Sequence, residues 1–188
     1  MEIQIIMIQL LKFEGYNIVI SPEALMLVPF RKIWERDKSK DKNKALLEIT
    51  FIYFIEDPRS DYQYLVDRDT RQEEIIKGIG LPSNWKPDKL IKEACELYSS
   101  FKPMSAGLLD DTRYFVSNLR KKLRTIDFDE RDDKGKPIYT LSSITETINK
   151  IPILAKNLDE AERTLSKDIT NEAKARGAQT KALLEDED

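Results

Sequence analysis

Most hydrophobic residues in the chain recur at helical spacing, and the most regular stripe lies near the C-terminus. An apolar residue returns there every three or four positions, at Ile144, Ile148, Ile151, Leu154, Leu158, Ala161, Leu165 and Ile169. This spacing places the side chains on one side of a helix. The stripe is narrow and charged residues surround it, which is typical of a helix that packs along a single neighbour.

Local signals indicate where this helix begins and ends. Ser143 and Glu146 fit a capping box at its start, and Gly177 is a suitable stop. Pro152 lies inside the segment and is expected to kink or split the helix. A continuous helix over residues 143–176 would be on the order of 50 Å long at about 1.5 Å per residue. A compact chain of this size is roughly 40 Å across, so we expect the helix to protrude.

A second segment, residues 44–56, is apolar on nearly all sides of the predicted helix. Only Glu48 and Thr50 interrupt the run from Leu46 to Ile55. A helix with this composition is buried on nearly all sides, so we predict the central helix of a bundle. Its own bundle is expected to cover most of it, and neighbouring subunits are expected to cover the remainder.

The rest of the chain completes a mainly α fold. Further helices are predicted over about 24–37, 67–78, 87–101 and 106–125. In the last of these, Leu108, Leu109 and Phe115 are among the residues expected to face inward. Alternation and turn residues predict a small β-hairpin at about 126–140.

The N-terminal segment 1–21 is rich in Ile and Val and is broken by Gly15. This pattern favours extended structure, either two short strands around a turn or a packed apolar arm. The predicted organisation is therefore an extended N-terminal arm (1–21), a helical bundle with a small β-hairpin (22–140), and a long protruding C-terminal helix with an acidic tail (141–188).

The composition of the chain limits which catalytic groups and metal ligands it can offer. The 188 residues carry a net charge of −3, one cysteine and no histidine. The commonest general base and the commonest metal ligand are thus missing, and we predict no catalytic residues, no cofactor and no metal site. The N-terminus lacks a basic signal-peptide region and no run reaches the roughly 18 apolar residues of a membrane helix. We expect a protein made in a reducing cytoplasm without a membrane partner.

One segment, residues 31–44, concentrates positive charge. Its cations are Arg31, Lys32, Arg36, Lys38, Lys40, Lys42 and Lys44. They are candidates to contact DNA phosphates, while solvated surface charge is the simpler interpretation. A carboxylate-dependent hydrolase built on Asp127, Asp129 and Asp132 is a further alternative.

The run ITFIYFIEDPRSDYQYLVDRDTRQEEIIKGIGLPSNWKPDKLIKEACELY resembles small structural proteins of tailed bacteriophages of the crAss-like group. The resemblance covers roughly residues 45–125 and rests on overall texture. It implies a virion component near the portal, in the form of a ring or head-to-tail connector protein. Such proteins are helical bundles whose arms dock on neighbours, and no catalytic residues carry over.

Together these observations predict a non-enzymatic virion assembly protein that forms a homo-oligomeric ring in the phage neck and docks on the portal or an adjacent ring. It would be assembled in the host cytoplasm and could contact packaged DNA. The alternative is a DNA-associated accessory protein that uses segment 31–44. The residues predicted to lie at interfaces are Phe51, Tyr53, Phe54, Ile144, Ile148, Ile151, Leu158, Leu165 and Ile169.

Overall fold

A computed structural model describes residues 10–15 and 17–185, and the side chains up to residue 171. The described part is mainly α, as predicted, with one two-stranded hairpin. The chain forms two compact units, Met1–Pro103 and Met104–Asp188. This division differs from the predicted one at residue 140, because helix 104–124 packs with the C-terminal helix.

The first unit begins with an antiparallel hairpin of β1 (Leu11–Glu14) and β2 (Asn17–Ile20), in which Leu11 pairs with Ile20. The turn falls at Gly15, as predicted, and its positive φ of 60° is the conformation that glycine adopts most easily. The hairpin is not a free arm, because Leu11 is fully buried and the ring of Phe13 stacks on Tyr53. Residues 1–9 of the predicted arm lie outside the described residues.

Two helices follow where one was predicted: α1 (Pro22–Met26) and α2 (Val28–Arg36). Ser21 begins α1 by accepting a hydrogen bond from the Ala24 N–H at 3.2 Å. The chain is extended at Leu27, with φ −74° and ψ 127°. Pro29 explains the break, because a proline inside one continuous helix would clash with the preceding turn.

Helix α3 (Asn43–Glu56) is the centre of the first unit. It packs against β2, α2, α4 (Arg68–Gly78), α5 (Lys89–Ser99) and the short 3-10 helix Asp61–Tyr64. It ends at Asp57, as predicted. These neighbours within one unit bury nearly the whole run from Ile49 to Glu56.

The second unit pairs α6 (Met104–Arg124) with α7 (Leu141–Glu185). Ser105 bonds Asp168 and Arg113 bonds Glu162, so the two helices run antiparallel. Their small core consists of Ala106, Leu109 and Leu165, with Leu158, Ala161 and Ile169 packed against it.

The connection and ends of this unit differ from the predictions. Segment 125–140 contains a single isolated bridge between Arg131 and Pro137 in place of the predicted hairpin. Helix α7 runs through both Pro152 and Gly177 without interruption. Its cap is Thr140, whose Oγ1 accepts from the Ser143 N–H at 3.2 Å, so the capping pair lies three residues earlier than predicted.

Candidate interaction surfaces

The apolar side chains of α3 that were predicted to meet a neighbouring subunit are covered by their own chain. Phe51, Tyr53 and Phe54 are all buried. The ring of Phe51 meets Trp85 at 4.8 Å, and Phe54 lies between Phe13 and Tyr62 at 4.9 and 5.1 Å. The prediction of a subunit interface on α3 is therefore wrong for this fold, because β1, the 3-10 helix and the loop before α5 supply the cover.

The predicted interface residues of α7 divide into two groups. Leu165 is buried against α6, and Leu158 and Ile169 pack beside it. Ile144 is buried as well, whereas Ile148 and Ile151 are exposed. Ile148 and Ile151 are the most exposed side chains of the predicted stripe, and Leu154, Leu158, Ala161 and Ile169 are partly buried.

The second unit also exposes large apolar side chains on α6. Leu108 and Phe115, which were predicted to face inward, are more than half exposed. Helix α6 carries apolar residues on two sides, and the side containing Ala106 and Leu109 faces α7. The exposed large apolar side chains that lie on α6 and α7 are called the hairpin apolar surface, after the helical hairpin that these two helices form: Met104, Leu108, Tyr114, Phe115, Leu141, Ile148, Ile151 and Ile153.

Segment 31–44 forms the end of α2, a loop and the start of α3, and two of its seven cations are used inside the first unit. Arg36 lies 2.7 Å from the buried carboxylate of Glu48 and 2.5 Å from that of Asp88. Burial alone would lower the pKa of Arg36, but the hydrogen bonds to these carboxylates outweigh it and raise the pKa. Arg36 therefore fastens α2 to α3 and α5 and is not available to DNA.

Lys42 is the second cation with an internal role. Its ammonium donates to the carbonyl oxygens of Asp37 at 2.5 Å and Trp34 at 3.3 Å, and it lies 5.7 Å from the centre of the Trp34 ring. Its own backbone is left-handed, with φ 52°. These contacts close the loop onto the end of α2.

Asp37 holds the same loop between α2 and α3 by binding the backbone N–H groups of Ser39 and Ala45. Its Oδ2 accepts from the Ala45 N–H at 3.0 Å, and its Oδ1 accepts from the Ser39 N–H at 2.9 Å. The backbone hydrogen bond from Ala45 is the main cause that lowers the pKa of Asp37 to about 2. A carboxylate eight positions away along the chain thus caps the start of α3, a role that no local sequence signal announces.

The other five cations of the segment are exposed. We call them the basic knuckle: Arg31, Lys32, Lys38, Lys40 and Lys44. Two exposed carboxylates, Glu35 and Asp41, lie among them. The five cations are close together in the sequence, and the loop that carries Lys38 and Lys40 is held by Arg36, Asp37 and Lys42.

Buried charges in the first unit form structural networks. Asp57 is fully buried and accepts from the Tyr98 hydroxyl at 2.5 Å and the Arg59 guanidinium at 2.6 Å. The carboxylate of Glu56 pairs with Arg68 and with Lys102 at 2.8 Å. Sequence reasoning missed both carboxylates, because Tyr98, Arg68 and Lys102 are distant from them in the sequence.

The described residues also leave two grooves in the first unit. One, of about 400 Å³, opens beside Glu56 and Cys95, where the carboxylate is already paired. The other, of about 690 Å³, has apolar walls from the hairpin, α3 and α4. Burial raises the pKa of the Cys95 thiol to about 12, which disfavours the reactive thiolate.

Across the described ranges, no three or more Cys, Asp or Glu side chains are grouped so that they could hold a metal ion. Among the helices of residues 10–15 and 17–185, none is both long enough and apolar enough to cross a bilayer.

No protein-family model matches the chain, no curated protein is significantly similar to it, and no solved structure matches it.

Proposed function

We propose that this chain is a non-enzymatic virion assembly protein that forms an oligomeric ring in the head-to-tail connector of a tailed bacteriophage. In this role it docks on the portal or on an adjacent ring after assembly in the host cytoplasm. The resemblance of residues 45–125 to crAss-like phage structural proteins supports the virion setting. The hairpin apolar surface supports the assembly role.

The exposed area of that surface is the observation on which the proposal depends. Its side chains range from 40% to 84% exposed. At roughly 100 Å² each, the eight side chains expose on the order of 800 Å² in total, divided between α6 and α7. A standard interface buries about 800 Å² per partner, so each helix offers part of the apolar area that association with another chain uses.

The distribution of these side chains also suits a ring. Met104, Leu108 and Phe115 follow one another at spacings of four and seven residues, which gives one stripe along α6. Leu141, Ile148 and Ile151 form a separate stripe on α7. A closed ring needs two different surfaces on each subunit, because each copy contacts one neighbour on either side.

The direct test combines oligomer size with particle composition. We expect the full chain to run as a closed oligomer in native mass spectrometry, and Leu108→Ser with Phe115→Ser to shift it to smaller species. The matched control is Val19→Ser with Met26→Ser, which removes exposed apolar side chains from the first unit. In purified phage particles, a fixed ratio to the portal near equality, or a small multiple, is expected.

A monomer at every concentration would refute the oligomeric ring. Absence of the chain from purified particles would refute the virion role. Loss of assembly in the control pair, with the α6 pair unaffected, would move the interface to the first unit.

A DNA-associated accessory protein is the second candidate, and the exposure of the basic knuckle favours it. This function predicts binding to duplex DNA that weakens steeply as salt rises. Binding that is absent or insensitive to salt would reject it.

A further inference from the structure

We infer that the basic knuckle binds the acidic segment 185–188 of a second copy of this chain, an inference that rests on the proposed function as an oligomer. The segment reads Glu-Asp-Glu-Asp, four consecutive carboxylates. The knuckle offers five exposed cations. The two charge runs are opposite in sign and similar in number.

The knuckle is prepared for a partner because its shape does not depend on its exposed charges. Arg36, Asp37 and Lys42 hold the loop through contacts with Glu48, Asp88, Ala45 and backbone carbonyls. The five remaining cations are left on a surface that is already ordered. Preorganisation of this kind lowers the entropy lost on binding.

The acidic segment has few cations near it in the sequence. Lys181 is the one cation among residues 178–188. Four adjacent carboxylates repel one another, and a surface of opposite charge relieves that repulsion. Farther back on α7, acidic residues already have partners, as in Lys150–Glu146 and Arg163–Asp159.

A second copy fits the knuckle better than duplex DNA does. Glu35 and Asp41 lie among the cations, and they repel a continuous line of phosphates. A segment of four carboxylates offers fewer negative charges for Glu35 and Asp41 to repel than the phosphate backbone of a duplex does. The contact joins two different surfaces of one chain, which is the head-to-tail arrangement that closes a ring.

Charge exchange between two variants of the full chain tests the inference. The knuckle variant carries Lys38→Glu, Lys40→Glu and Lys44→Glu, and the tail variant carries Asp186→Lys, Glu187→Lys and Asp188→Lys. The matched control carries Lys77→Glu, Lys86→Glu and Lys89→Glu, which changes the net charge of the first unit equally. Oligomer size is measured against protein concentration at low salt and at about 0.5 M NaCl, where charges are screened within several ångströms.

Each variant alone is expected to need a protein concentration on the order of tenfold higher for assembly, since exposed ion pairs are individually weak. An equimolar mixture is expected to restore assembly, because acidic tails then meet basic knuckles and basic tails meet acidic knuckles. The mixture also shows that both variants are folded. High salt is expected to weaken the wild type and leave little difference among the proteins.

Three results would overturn the inference. The first is a mixture that assembles no better than either variant. The second is a control variant that weakens assembly as much as the knuckle variant. The third is a knuckle variant that assembles normally but loses binding to a short DNA duplex, which would assign the surface to nucleic acid. A monomeric wild type would instead refute the ring itself.

Discussion

Replacement of Tyr98 by Phe tests how much the hydrogen bond from Tyr98 to the buried carboxylate of Asp57 contributes to the stability of the first unit. The Tyr98 hydroxyl donates to Asp57 at 2.5 Å, and Asp57 is 0% exposed. Phenylalanine occupies the same space, so the change removes one hydrogen bond and leaves no cavity. A hydrogen bond to a charged group contributes about 1.5–3 kcal/mol, and we expect a loss of about 2 kcal/mol.

The loss should stay below the effect of breaking a buried ion pair, which is about 3–5 kcal/mol. Asp57 keeps its other donors, because the Arg59 backbone N–H and Nε lie 2.8 Å from its Oδ1. The hydrogen bonds to Asp57 are also the main cause that raises the pKa of Arg59. We expect Tyr98→Phe to keep these hydrogen bonds between Arg59 and Asp57.

Urea unfolding followed by tryptophan fluorescence is the assay. Both tryptophans, Trp34 and Trp85, lie in the first unit, so the signal reports that unit alone. With a slope of about 2 kcal/mol per molar urea, the expected loss moves the midpoint down by about 1 M. The control is Tyr64→Phe, which removes a hydroxyl from a side chain that is 71% exposed. A Tyr98→Phe midpoint within about 0.2 M of that control would refute the reasoning.

Three further predictions use the same unfolding assay or a thiol assay. Arg36→Ala leaves the buried Glu48 without its cation and should cost about 3 kcal/mol, whereas Arg31→Ala, at an exposed position, should cost less than about 0.5 kcal/mol; equal effects would contradict the internal role of Arg36. Because Asp37 has a pKa of about 2 in the fold, its stabilising effect is present above about pH 4 and is lost as the pH falls towards 2. The urea midpoint should therefore fall more steeply over that range in the wild type than in Asp37→Ala, and parallel curves would count against the cap. Cys95, with its pKa near 12, should resist an aromatic disulfide reagent at pH 8 until urea is added, and rapid labelling of the folded chain would contradict its burial.

The sequence predicted the helices of the first unit well where one apolar pattern dominates. The run from Leu46 to Ile55 has few polar interruptions, so α3 and its burial follow directly from composition. Asp57 ends the helix because Pro58 disfavours a helical residue before it. The predicted starts of α4 and α5 lie within two residues of the observed ones, where Asp67 and Asp88 cap the helices by accepting from the Thr70 and Ile91 N–H groups.

Prediction failed where two patterns competed or where partners were distant. Helix α6 has apolar residues on two sides, and periodicity cannot tell which side faces α7. Arg36 resembled a surface cation because its partners, Glu48 and Asp88, lie 12 and 52 positions away. Short-range patterns carry no information about such contacts, so the sequence grouped Arg36 and Lys42 with the five exposed cations.

The burial of α3 has a consequence for synthesis on the ribosome. Its cover comes from both directions along the chain, with Phe13 before it and Trp85 and α5 after it. Roughly 40 residues separate the end of α3 from the end of α5, which at about 5–20 residues per second is a delay of several seconds. During that interval the β1–β2 hairpin can already pack on α3, but the side of α3 that Trp85 and α5 later cover is still exposed to water. A nascent chain whose α5 has not yet left the ribosome should therefore recruit holdase chaperones, and one whose residues up to Pro103 have emerged should release them.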